Sequence, residues 1–94
     1  MTEPTTINVA FPIGTHQVFS YLVPEMLNRD LRIGMRVVAP LGRRQSQGYI
    51  VEIDPAIDES VRPKLKPVRK IIDDEPLFSG ELVQLIKWIS KYYL

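Results

Sequence analysis

Prolines and glycines break this chain at short intervals, and they hold every apolar run to the length of a β-strand. Residues 7–11 are β-branched, aromatic or small and stop at Pro12. Residues 18–23 stop at Pro24, and residues 35–39 start after Gly34 and stop at Pro40. Residues 49–53 alternate, which predicts Tyr49, Val51 and Ile53 on one face and Ile50 and Glu52 on the other. Residues 68–72 form a fifth run. Proline has no N–H to give to a ladder, so it closes these runs naturally.

The connections differ in kind. Residues 25–33 are polar, with Arg29, Asp30 and Arg32. Residues 41–48, Leu-Gly-Arg-Arg-Gln-Ser-Gln-Gly, read as a basic hairpin loop. Residues 54–67 hold Pro55, Pro63 and Pro67 and predict an exposed, irregular stretch, and residues 1–6 predict a flexible polar N-terminus. From Ser79 the period changes to that of a helix over 79–94, with Leu82, Leu85, Ile86, Ile89 and Tyr93 on one stripe. Ser79 is the expected N-cap, and Glu81 suits the positive end of the helix dipole. No Gly or Pro stops this helix before the chain ends at Lys91-Tyr92-Tyr93-Leu94, so the chain reads as an N-terminal domain cut from something longer. A length of 94 residues allows one domain. The expected fold is mainly β with a C-terminal α-helix: a small five-stranded OB-like barrel, with an SH3-like barrel as the alternative.

Composition removes several functions. Twelve basic and eleven acidic side chains leave a net charge of +1, too little for a protein that coats a polyanion. No cysteine is present, which excludes disulfides, iron–sulfur clusters and thiolate zinc sites. The single histidine, His16, is expected in a surface loop without a role. No apolar run approaches the roughly 18 residues of a membrane helix, and the short polar stretch Met1 to Thr6 is not expected to act as a secretory signal. The scattered glycines form no phosphate loop, and no nucleophile–base set stands out, so no catalysis is expected within this chain.

Several ordered segments are distinctive together: Val9-Ala10-Phe11-Pro12; Phe19-Ser20-Tyr21-Leu22-Val23-Pro24; Gly34-Met35-Arg36-Val37-Val38-Ala39-Pro40-Leu41-Gly42-Arg43; Gly48-Tyr49-Ile50-Val51; Leu65-Lys66-Pro67-Val68; and Ile72-Asp73-Asp74-Glu75-Pro76-Leu77-Phe78 before Trp88-Ile89-Ser90-Lys91-Tyr92-Tyr93. Their order resembles the N-terminal domain of primosomal protein N′, the PriA replication-restart helicase, over nearly the whole chain. The resemblance implies an OB-like barrel that captures the 3′-terminal nucleotide and 3′-hydroxyl of a DNA strand at stalled forks, whatever its sequence. It implies a whole protein that is an ATP-dependent 3′-to-5′ helicase using ATP, magnesium and zinc, none of them expected in this chain. The implied partners are forked DNA with a free 3′ end, the remaining helicase domains, single-stranded-DNA-binding protein and other primosome proteins, in a bacterial cytoplasm near the nucleoid and away from membranes.

The family's end pocket uses a Phe-Asp-Tyr segment, a turn glycine and a lysine before the fifth strand. The matching positions are Phe19, Ser20 and Tyr21, then Gly42, then Lys66. Ser20 departs from the family's carboxylate, which only accepts hydrogen bonds, whereas a hydroxyl donates and accepts at shorter reach and without charge. Read without the family, Phe19 and Tyr21 share a strand face and belong to the core, and Ser20 faces solvent. Gly42 is then a turn glycine, and Lys66 a solvated loop residue. Arg43 and Arg44 read either as a soluble hairpin tip or as phosphate contacts, and Trp88 as packing. The SH3-like alternative rests on Gly34-Met35-Arg36-Val37-Val38, the basic turn and 48–53, and would bind structured RNA or protein. A third alternative is an interaction domain that docks through its terminal aromatics.

Overall fold

The protein is described from a computed structural model covering residues 5–12, 17–27, 30–76 and 79–93. Five strands form: β1 (Thr5–Phe11), β2 (Gln17–Val23), β3 (Arg36–Leu41), β4 (Arg44–Ile53) and β5 (Lys70–Ile71). They make one antiparallel sheet in the order β2-β1-β4-β3-β5, followed by helix α1 (Gly80–Tyr93). One more contact curls the sheet on itself. Leu22 of edge strand β2 bridges Pro67 in parallel, donating its N–H to the Lys66 carbonyl and accepting from Val68 N–H, both at 2.9 Å. The fold is therefore mainly β with one C-terminal helix, consistent with a small OB-like barrel.

Ile7, Val9, Phe11, Tyr21, Val23, Met35, Val37, Ala39, Ile50, Val68 and Ile71 fill the interior. A second cluster lies outside the sheet, where Leu82 and Leu85 of α1 pack on Ala10 and Tyr49, flanked by Val18 and Val51. Ser79 caps the helix, its Oγ accepting the Leu82 N–H at 3.1 Å. Ile86, placed on the apolar stripe by spacing, remains 43% exposed, so the covered part of the stripe is narrower than the spacing suggests.

Four expectations need correction. Residues 41–48 are not a loop: Leu41 pairs with Arg44, so the turn is only Gly42-Arg43 and β4 runs ten residues. Gly42 has φ +64° and Arg43 a negative φ, the pattern of a two-residue type II′ hairpin. The alternation along 49–53 also breaks. The β1–β4 register shifts between Asn8, opposite Glu52, and Val9, opposite Ile50, which leaves Val51 as a bulge. Beyond it the faces exchange, and Ile53 packs on the interior beside Ile50's cluster. Thr5 and Thr6, expected in a flexible N-terminus, open β1, and Thr6 is buried. The fifth strand is only Lys70–Ile71, with Arg69 N–H reaching the Val38 carbonyl at 2.7 Å and Ile72 N–H the Arg36 carbonyl at 2.8 Å, while Val68 gives its N–H to Leu22 across the seam. Residues 54–67 hold a 3-10 turn, Arg62–Lys64, and end at the Pro67 bridge. His16 lies outside the described residues.

A half-buried ion pair links the segment after β5 to β3. Asp73, 8% exposed, accepts the Arg36 main-chain N–H at 2.9 Å and faces the guanidinium with contacts from 2.9 Å. The Arg36 side chain holds the Asp73 carboxyl below its ordinary range, against the opposing effect of burial.

Candidate functional site

Three distant stretches of chain meet at one end of the barrel. Phe19, Ser20 and Tyr21 of β2, Pro40 to Gly42 at the tip of β3, and Lys64 to Lys66 line a shallow hollow of about 220 Å³. The five residues that the resemblance singled out, Phe19, Ser20, Tyr21, Gly42 and Lys66, are all in its wall. Pro40, Leu41, Lys64 and Leu65 join them and were not anticipated. Arg43 and Arg44 are exposed at the hairpin tip and do not line the hollow.

Each wall residue has a local reason for its position. Tyr21 is core, 4% exposed, and its hydroxyl donates to the Pro40 carbonyl at 2.6 Å, which ties β2 to the tip of β3. Burial pushes its phenol above the usual tyrosine range, so it stays a donor at neutral pH. Phe19 corrects the pattern reading, because it is 43% exposed. One side of its ring is supported by Phe11, with centroids 6.3 Å apart, and the first half of β2 is exposed or half-buried. Gly42 takes a left-handed φ, and a Cβ there would meet no protein atom within 4 Å. The turn requires glycine, and the space beside it is open.

Ser20 is held from the neighbouring strand. Its hydroxyl donates to Asn8 Oδ1 at 2.5 Å, and Asn8 Nδ2 donates to Glu52 Oε1 at 3.0 Å, a chain across β2, β1 and β4. With its proton spent on Asn8, Ser20 Oγ keeps only acceptor capacity. The main chain around it faces outward. The Thr6 carbonyl accepts Asp54 N–H, so Thr6 turns toward β4 and its partner Leu22 turns away from β1, toward Lys66 and Val68. Backbone direction alternates, so Ser20 and Val18 present their N–H and C=O along the same outer edge. Leu22 uses its pair to close the barrel, and among the described residues the outward groups of Ser20, beside Lys66, take no main-chain partner.

Among the described residues no group of His, Cys, Asp or Glu could hold a metal ion, and no helix is long and apolar enough to cross a membrane. A hollow with a half-open aromatic ring, an outward strand edge and two lysines is a place to hold a ligand. A small OB-like barrel with such a hollow is a binding module. Known proteins agree with that class. The model of the PriA 3′ DNA-binding domain (3′BD) matches residues 8–94. The replication restart protein PriA of Bacillus subtilis is 35% identical over 72 residues, covering 77% of this chain and 9% of its own length. Those of Rickettsia conorii and Haemophilus influenzae are 30% and 29% identical, over 92% and 93% of this chain and 12% of their own lengths. The chain belongs to the family of PriA 3′ DNA-binding domains, and it spans about a tenth of the length of these relatives.

Proposed function

We propose that this chain is the module of a replication-restart helicase that captures the 3′ end of a DNA strand. The observation that carries the reading is the convergence of 19–21, 40–42 and 64–66 on one hollow beside an open strand edge. The terminal nucleotide sits in the hollow. Its base meets the exposed side of Phe19 and the main chain at Ser20, whose Oγ accepts from a base amino group as the family's carboxylate would. Its sugar, with the free 3′-hydroxyl, lies over Gly42, where no side chain intervenes, and its phosphate meets Lys66 or Lys64. Stacking and main-chain contacts are available to any base, which makes capture independent of sequence. The chain does no chemistry; ATP-driven 3′-to-5′ unwinding belongs to the rest of the protein, whose domains, forked DNA, single-stranded-DNA-binding protein and primosome proteins are its partners in the bacterial cytoplasm at the nucleoid.

The test is fluorescence polarisation with three short single-stranded DNAs of one sequence: a 3′-hydroxyl end, a 3′-phosphate end and a circle. Tight binding to the first alone is expected, weakened by Lys66→Glu in a variant that melts like the parent. Equal binding to all three overturns end capture.

A further inference from the structure

A second depression adjoins the first and shares part of its wall. This groove, about 380 Å³, is lined by Pro24, Met26, Leu27, Gln45 and Arg69 among others, and Pro40 and Lys66 border both spaces. Its chemistry differs from that of the hollow. Met26, at the 3-10 turn Glu25–Leu27, is 89% exposed, an unusual outlay for a large apolar side chain. Leu27 is anchored on the core, and Pro24, Pro67 and Val68 continue the apolar floor. Two cations, Lys66 and Arg69, stand in the wall, and no carboxylate does.

We propose that this groove is a second subsite, which takes the base of the next nucleotide inward from the 3′ end. The proposal rests on the end-capture reading above and extends it. A strand whose terminal nucleotide fills the hollow must leave by its 5′ phosphate. The residue common to both spaces, Lys66, is a cation, placed where the phosphodiester between the two nucleotides has to pass. Arg69 meets the following phosphate. The base rests on Met26 against the proline floor, where a flexible thioether adapts to purine or pyrimidine alike, and Gln45 offers an amide to its edge. Continuity with the hollow and a wall with cations and no anions favour a nucleotide over an apolar peptide segment.

The experiment compares 5′-labelled oligonucleotides with a 3′-hydroxyl that carry one abasic site, at the second or the third position from the end, by polarisation on the 94-residue chain. Loss of the second base is expected to weaken binding about fivefold, as losing roughly 40 Å² of apolar contact with Met26 and the prolines would, and loss of the third to change little. In Met26→Ser, a surface change, the second-position effect should shrink toward onefold while preference for the hydroxyl over the phosphate end persists. If the parent chain prefers the hydroxyl end but ignores the second base, the subsite is wrong and end capture stands. If it shows no end preference, both fall. An abasic effect equal at the two positions also overturns the subsite, since it describes a strand bound without register.

Discussion

In the proposed pocket Ser20 stands where the resembled family has a carboxylate, and its environment sets what a ligand would meet. Its hydroxyl proton is directed to Asn8, so a ligand there would meet an acceptor, and the outward main chain beside it is unchanged by substitution. Ser20→Asp should keep or tighten binding to a 3′-hydroxyl end, because the carboxylate accepts in the same sense and reaches further. It should also cost about 1 kcal/mol of stability, since it removes the donor to Asn8 and brings a second anion toward Glu52. Polarisation together with thermal melting separates the two effects; a folded variant without end binding would show that the serine has its own geometry. At this scale little was legible from pattern. Phe19 and Tyr21 alternate identically, yet one is core and the other half-open, because covering depends on which part of β2 meets 66–68. Lys64 and Leu65 carry no local signal and enter the wall only through the turn that precedes the bridge. The Arg36–Asp73 pair is 37 residues apart in the chain, beyond any spacing rule.

The strands were legible wherever Gly or Pro ended an apolar run, and obscured where polar residues extend. The first half of β4, Arg44-Gln45-Ser46-Gln47, resembles a loop in composition because it is a hairpin arm reaching past the core, with mostly exposed side chains. Gly48 marks where that arm enters the barrel. A Cβ there would lie 2.6 Å from Val9 Cγ1 and 2.8 Å from the Ala10 carbonyl oxygen, so β1 and β4 approach this closely only over glycine. Gly48→Ala should therefore destabilise by about 2 kcal/mol or more, as overpacking against backbone does, and denaturant titration measures it. The ion pair at the end of β5 makes a second element-level prediction. Asp73 titrates lower in the folded protein than in the unfolded chain, so its contribution is fully present above the unfolded value, about pH 3.9, and is lost as pH falls through the folded one. Denaturation from pH 7 to 3 should show the parent losing stability at the acid end more steeply than Asp73→Asn, which starts lower. Parallel curves would remove the pair from the account.

At the scale of the molecule, a net charge of +1 matches a grip on one strand end. If Lys66 and Arg69 are the phosphate contacts, the logarithm of affinity should fall with the logarithm of salt at a slope of about −1.4, two neutralised phosphates on a single strand. A slope several times steeper would mean that Arg43, Arg44 and other surface cations follow the strand instead. The barrel's overall type was readable from five short runs and a helix. Its line of closure was not, because two main-chain hydrogen bonds at Leu22 depend on no side chain. That line has a consequence for how the domain responds to its ligand. The hollow's walls belong to both sides of the seam, so under the proposed function a strand end held there would act as a suture across it. Occupancy and closure would then share one free energy: amide exchange at Leu22 and Val68 is expected to slow when a 3′-hydroxyl oligonucleotide is added, and unchanged exchange would separate the site from the seam.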